Sequence, residues 1–288
     1  MKPNQLLTIL FVFLSTMAFS HEEPAKTIKD KQEKEKNRLF ILQHKIKSST
    51  IIKYEVSDGK VNQDRKEKFY TVEYDQNGNI SKMYVYKTGD TLDYKIGFSY
   101  DSQNNMLADT DFSPDDSIIE QIEYKYGDDN CVVSQENFSV NRQLDSRFFY
   151  TKDQTKNELT ITKIKPSDSI EYILIYSYSG AIETGNNTGI IKQSTDGKLI
   201  MRVENIFNPQ GQRTEKLIFD ENNKLMYSFR YEHDSNDNMI LIEKVSSENK
   251  ILTKTAYRYN TDQTESGIET TNDSGTIISS LKFEYTYF

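Results

Sequence analysis

The residues with the most chemistry to offer are few and scattered. The chain holds three histidines, His21, His44 and His233, and one cysteine, Cys131. A zinc site needs several N or S ligands at short, fixed spacings, and these four residues are far apart in sequence. A single Cys permits no intramolecular disulfide. A catalytic thiol needs a neighbouring His and an electropositive setting, and nothing around Cys131 suggests either, so it reads as a small apolar residue. Two acidic turns, Asp75-x-Asn77-x-Asn79 and Asp234-x-Asn236-x-Asn238, place oxygen atoms on alternate residues as a calcium loop does. Both lack the glycine and the distal bidentate Glu of an EF-hand, and Asn, Asp and Gly are also the residues that turns select. Gly-x-Ser-x-Gly, phosphate-binding Gly-rich loops and Cys–His pairings are absent, and no carboxylate pair stands out as acid and base. No catalytic, cofactor-binding or metal residue is therefore assigned, no cofactor is expected, and a non-enzymatic role is predicted.

The informative chemistry is aromatic. The chain has 19 Tyr and 15 Phe, no Trp, and 35% hydrophobic residues. Starting from Tyr74 in VEYDQNGN, aromatic residues recur with a period of 26: Tyr100 in FSYDSQNN and Tyr126 in YKYGDDNC. Tyr150 and Tyr178 follow at spacings of 24 and 28, which together restore two periods. After a three-residue slip at ETGNNTG come Phe207, His233, Tyr259 and Tyr285, again 26 apart. His233 fills a position that is Tyr in most copies, which fits packing better than metal binding. Rows of Tyr and Phe serve either as the core of a sheet or as a platform for a ligand, because they bring large area at low side-chain entropy cost. The anchors Tyr74, Tyr100, Tyr126, Tyr150, Tyr178, Phe207, Tyr259 and Tyr285 are thus structural or ligand-facing, and the candidate partners are carbohydrate, protein or lipid.

A second turn falls about half a period after each first one, for example TGDT at 88–91, PDDS at 114–117, PSDS at 166–169 and ENNK at 221–224. Pro114 and Pro166 lie in these second turns and Pro209 in a first turn, where the missing N–H costs no ladder bond. Asn77-Gly78 is a dipeptide type that tight hairpins prefer. Between turns the chain alternates: Leu92, Tyr94, Ile96, Phe98 and Tyr100 share one parity, as do Leu281, Phe283, Tyr285 and Tyr287. Period two with one apolar face marks a half-buried antiparallel strand. The prediction is an all-β fold, a long antiparallel meander of hairpin repeats with some sixteen to eighteen strands. Such a sheet twists and curls, giving a coiled elongated sheet or a partly closed barrel. Asp90-Thr91-Leu92, Asp116-Ser117-Ile118 and Asp168-Ser169-Ile170 share one phase of the repeat and resemble an O-glycan acceptor, but a turn followed by a strand accounts for them better and needs no glycan.

The N-terminus reads as an address. Lys2 precedes an apolar run from Leu6 to Leu14, and small or polar residues lead to Ala18-Phe19-Ser20, the pattern of a secretory signal cut near Ser20. Residues 21–38 are charged and without apolar periodicity, a linker or short helix, and residues 39–288 form the repeat domain. Loss of Lys2 takes the net charge from −8 to −9. Without a basic stripe, nucleic acid is excluded as a partner, and no transmembrane helix is expected in the mature chain.

The element Tyr74-Asp75-Gln76-Asn77-Gly78, with a weaker copy at Tyr100-Asp101-Ser102-Gln103-Asn104, resembles the YD repeat of Rhs-type proteins. The resemblance extends over residues 69–288, although family repeats are shorter and richer in Gly and Arg. It implies a secreted, repetitive β structure that wraps or binds something, and no catalytic residue. Taken together, the sequence predicts a secreted bacterial binding or scaffold module, in the periplasm or at the cell surface. Two alternatives are a periplasmic carrier whose curved sheet cradles a lipid or lipoprotein tail, and an outer-membrane β-barrel. Against the last, strands such as RTEKLIF carry charge on both faces, whereas a lipid-facing band must be apolar.

Overall fold

The structure is a computed structural model, and it describes residues 24–288; the expected signal segment, its cut near Ser20 and His21 lie outside them. Among the described residues one α-helix, α1 (Ile28–Gln43), precedes eighteen strands. The first six are Ile46–Ser57 (β1), Lys60–Tyr74 (β2), Ile80–Lys87 (β3), Thr91–Tyr100 (β4), Met106–Phe112 (β5) and Ile118–Tyr126 (β6). Then come Val132–Ser139 (β7), Gln143–Asp153 (β8), Glu158–Ile164 (β9), Ile170–Tyr178 (β10), Asn187–Gln193 (β11) and Leu199–Phe207 (β12). The last are Arg213–Phe219 (β13), Leu225–His233 (β14), Met239–Ser246 (β15), Ile251–Tyr259 (β16), Glu265–Asn272 (β17) and Ile277–Tyr287 (β18). Each strand pairs antiparallel with the one before and the one after, as the meander predicts, and β1 also pairs with β18, Ile51 opposite Phe283 and Ser49 opposite Tyr285. The sheet therefore closes fully into a barrel.

The repeat is one hairpin plus one connecting turn, and its turn chemistry is uniform. Twelve of the seventeen hairpins close the same way, as at 75–79, where Asp75 N donates to Asn79 O (2.8 Å) and Gly78 N to Asp75 O (3.0 Å). The fourth residue of this loop is left-handed: Gly78, Asn104, Asn130, Gly211, Asp237 and Gln263 at one end of the barrel, Asp116, Asp168, Gly197, Asn223, Asn249 and Gly275 at the other. Asn77 is not left-handed, so the loop is a type I turn followed by one left-handed residue, not the two-residue turn that Asn77-Gly78 suggests. The Asp side chain locks it: Asp75 Oδ1 accepts from Asn77 N and Asn79 N, both at 2.9 Å, and Asp234 Oδ1 does the same for Asn236 and Asn238. The alternate oxygens that resemble a calcium loop are turned to their own backbone. In the glycan-like triplets Asp90, Asp116 and Asp168 are likewise left-handed turn residues.

Neighbouring turns at the first end are tied to each other across one period. Asn79 Nδ2 donates to Asn104 Oδ1 (2.9 Å), Asn105 Nδ2 to Asn130 Oδ1 (3.3 Å), Gln212 Nε2 to Asp237 Oδ1 (2.7 Å) and Asn238 Nδ2 to Gln263 Oε1 (2.7 Å). Each rung is worth about 1 kcal/mol net, and together they stiffen that rim.

The charged segment expected as a linker or short helix folds as α1 and runs past Arg38 to Gln43, into sequence assigned to the repeats. Thr27 starts it with a capping box: Thr27 Oγ1 accepts from Asp30 N, and Asp30 Oδ2 from Thr27 N. No helix residue is buried. A helix this polar lives by its attachments rather than by an apolar stripe. At its start Val132 N donates to Ala25 O (2.9 Å), and Lys29 N to Glu183 O (2.9 Å). At its end Arg38 Nη1 donates to Asn77 O (2.6 Å), and Phe288 N to Lys45 O (2.8 Å). About 24 Å long, α1 thus crosses the mouth from the β6–β7 and β10–β11 turns to the β2–β3 turn. At the β2–β3 turn a Cβ on Gly78 would stand 2.7 Å from Arg38 O and 2.9 Å from Leu42 Cγ.

Gly78 and Gly197 share φ +79°, but nothing lies within 4 Å of a Cβ at Gly197. Gly197→Ala should therefore cost the left-handed penalty alone, roughly 1 kcal/mol. Gly78→Ala should cost at least twice as much in urea unfolding, because it also lifts the helix. Equal costs would mean that α1 is not seated on this turn.

Candidate functional site

The two faces of the sheet differ in kind. Inward positions of β4 are Leu92, Tyr94, Ile96, Phe98 and Tyr100, with Ile96 1% exposed. On the neighbouring walls Ile51, Tyr70, Val72, Met83, Val85 and Phe283 pack with them. Across the barrel Val203, Ile218, Phe229, Tyr231, Ile242 and Tyr257 form a second cluster. Outward positions carry ion pairs: Arg142–Glu123 (2.8 Å), Lys125–Glu136 (3.8 Å), Lys254–Glu243 (2.7 Å) and Arg258–Glu269 (3.4 Å). Eighteen strands make a ring wider than side chains can fill, so the inner face lines a lumen.

Beneath α1 this lumen is a cavity of about 1400 Å³, bounded on one side by Tyr74, Tyr100, Met106 and Tyr126 and on the other by Asn238, Glu265 and Tyr285. The predicted anchors Tyr74, Tyr100, Tyr126, Tyr178, Phe207, Tyr259 and Tyr285 occupy one ring at the helix end, each opposite the first residue after its turn or, for Tyr285, opposite Ser49. Tyr126 and Tyr259 donate their hydroxyls to the first residue after the preceding repeat's turn, Met106 O (2.8 Å) and Met239 O (2.9 Å). Burial raises the hydroxyl pKa of Tyr70 to about 12 and moves those of Tyr178, Tyr259 and Tyr285 upward as well. Tyr150 lies deeper in the lumen and bonds Gln135 Oε1 (3.0 Å). The residue that keeps the 26 spacing is Lys152, midway between Tyr126 and Tyr178 in sequence, a cation where the neighbouring copies carry a ring.

Lys152 explains a second cluster. Asp129, Cys131 and Glu183 bring three metal-type ligand atoms together, among the described residues the one such group. The Lys152 ammonium sits between them, 2.7 Å from Asp129 Oδ2 and 2.8 Å from Glu183 Oε1. Burial works against its charge, but these two hydrogen bonds outweigh it and hold the pKa above the ordinary lysine range. Cys131 is fully buried, and burial pushes its thiol up to about 11, so it is a packed residue and not a nucleophile. The cluster anchors the start of α1, where Ile28 N donates to Glu183 Oε2 (3.1 Å). His44 caps the other end of the helix, with its ring 4.3 Å from that of Phe40, and His233 ends β14 opposite Met239.

Two kinds of lumenal residue have no counterpart in the sequence reading. Glu265, opposite Tyr259, is 8% exposed, and its Oε1 has no hydrogen-bond partner. Burial pushes its pKa up to about 7. Lys192, Arg213, Lys216 and Lys244 also point inward, and burial first, then Arg213, lowers Lys216 to about 8. Their signal in sequence was parity: Lys216 shares a face with Ile218, and Lys244 with Ile242.

No protein-family model and no curated protein matches the chain. Among solved structures it is similar to a porin-like protein from Bacteroides uniformis, with 9% identity over 84% of this chain and 98% of that one and a TM-score of 0.41. It is also similar to a porin-like protein from Bacteroides vulgatus, with 11% identity over 84% and 99% and a TM-score of 0.39. A third likeness is to the Tc holotoxin pore of Photorhabdus luminescens, with 10% identity over 74% and 16% and a TM-score of 0.17. No described helix is long and apolar enough to cross a membrane.

Glu265 yields a pH test. Its folded pKa of about 7 lies above the ordinary 4.5. The unfolded chain therefore releases this proton first, and the native state loses stability as pH rises from 4.5 to 7, by roughly 3 kcal/mol at the end. Glu265→Gln should raise the melting temperature at pH 8 and leave it unchanged near pH 4. A gain of equal size at both pH values would show that the carboxyl is not buried.

Proposed function

We propose that the protein is a secreted, non-enzymatic carrier, in the periplasm or at the cell surface, that holds an amphipathic ligand inside the barrel beneath α1. The observation that carries this reading is the cavity of about 1400 Å³ under the polar helix, whose barrel wall includes Tyr74, Tyr100, Tyr126, Phe283 and Tyr285. A scaffold has no need of an interior of this size with tyrosines on its wall, whereas such a cavity removes a lipid-sized molecule from water. The outer face supports the same reading, because its ion pairs suit water and not hydrocarbon. Kinship with YD-repeat proteins belongs to this proposal too, supported by the Tyr-Asp-x-x-Gly turn at 74–78 whose Asp75 locks the loop.

The test is titration of the purified protein with N-phenyl-1-naphthylamine, a neutral apolar dye that brightens out of water, in detergent-free buffer. Saturable binding is expected, weakened about tenfold by Tyr285→Ala, the equivalent of 1.4 kcal/mol. Native mass spectrometry should show adduct mass that organic extraction removes. No dye binding together with a clean mass would end the carrier reading.

A further inference from the structure

The lumenal wall between β11 and β15 carries four cations. Lys192 stands opposite Leu174 and Met201, and Lys216 opposite Asn205 and Phe229, with Phe229 in turn opposite Lys244. Lys216 and Lys244 are thus at one level, two strands or about 10 Å apart, and Arg213 lies three residues before Lys216 on the same face, opposite Phe207. Among the described residues none of the four forms an ion pair. Three have aromatic rings instead: Lys192 Nζ is 4.1 Å from the Tyr172 centroid, Arg213 Cζ 4.5 Å from that of Tyr231, and Lys244 Nζ 4.4 Å from that of Tyr227. Arg213 Nε is buried with no hydrogen-bond partner.

On the outer face of the same arc the cations are matched. Arg202 meets Glu204, Arg230 meets Glu215 at 3.9 Å, and Lys254 meets Glu243 at 2.7 Å. On this arc the strands thus pair their outward cations, where water would tolerate them single, and leave the inward ones single. A ring face eases a buried cation without neutralising it, and a desolvated cation cluster gains most from an anion able to take several charge-assisted hydrogen bonds. The rings beside it, Tyr227, Phe229 and Tyr231, are an apolar wall. Nine strands round the ring, β5 turns Asp109 and Asp111 inward, opposite Phe98 and Ile96. An acidic head entering the lumen is therefore drawn to one wall and repelled from the other.

We propose that the lumen binds an anionic amphiphile, with Arg213, Lys216 and Lys244 holding its acidic head and the aromatic lumen its apolar chain. The inference rests on the carrier reading and names the class of its ligand, extending it from the cavity under α1, which these three residues do not line, to the adjoining lumenal wall of β13 and β15.

The experiment displaces bound N-phenyl-1-naphthylamine with decanoate, decanol or decyltrimethylammonium, each below its micellar concentration, at low salt. It compares the unaltered protein, the double variant Lys216→Met/Lys244→Met, and Lys250→Met, whose lysine is exposed and paired with Asp273 at 2.9 Å. Decanoate should displace the dye at a concentration at least tenfold below that of decanol. The double variant should bring decanoate to the level of decanol and leave decanol unmoved, while Lys250→Met changes neither. Decanoate no better than decanol on the unaltered protein overturns the proposal, even if the double variant does not fold. A preference for decyltrimethylammonium overturns it too and moves the head group to Glu265. Failure of the dye itself to bind removes the carrier reading and this inference with it.

Discussion

A sheet of eighteen strands has two open edges unless its first and last strands meet, and every exposed N–H and C=O on an edge invites pairing with another chain. The β1–β18 ladder, from Ile46 opposite Tyr287 to Tyr54 opposite Ser280, removes both edges at once. It also creates the distinction between inside and outside on which everything else depends. A parity that in an open sheet merely separates two faces becomes, on closure, an aromatic-rich lumen and an outer face where ion pairs stand among exposed apolar residues such as Val133, Phe149 and Ile206.

Closure at this strand number leaves more interior than side chains can occupy, and the molecule handles the excess in two ways. Aromatic rings reach far from the wall and meet their neighbours, as in the cluster of Ile51, Tyr70, Val72, Met83, Ile96 and Phe283. The mouth is crossed by a polar helix tied down at both ends, so that α1 covers the lumen without filling it. Turns that would otherwise be mere reversals are the helix's seats: Asn77 accepts from Arg38, Gly78 admits the Arg38 carbonyl at close range, and Glu183 holds the start. The inward charges have a physical cost that neither the fold nor the helix requires, and the proposed anionic ligand would offset it.

Much of the barrel was legible in the sequence because its signals are local. Tyr74, Tyr100 and Tyr126 at a spacing of 26, Asp75 and Asp234 opening turns, and the alternation from Leu92 to Tyr100 report strands and loops directly. Closure was not legible: Ile51 and Phe283 are far apart in sequence, and nothing in either segment announces the other. The helix seat was missed because Gly78 satisfies a turn on its own, and its second role appears only when Arg38 arrives. Lys152 was hidden by a search for aromatics in a frame that it keeps as a cation. Lys216 and Glu265 break the alternation, and a polar residue at an apolar position reads as noise until the structure shows Glu265 buried and Lys216 half-buried on the lumenal wall.

The account depends most on which face of the sheet meets water. Ser99 is exposed on the outer face of β4, and its neighbour Phe98 faces the lumen. Ser99→Cys and Phe98→Cys, each in the protein purified without detergent, should be compared for reaction with a polyethylene-glycol maleimide too large to enter the barrel, with the buried Cys131 as the internal control. Rapid labelling at position 99 and protection at 98 until urea is added is the predicted result. Labelling at 98 with protection at 99, or a protein that stays in solution only in detergent, would contradict it.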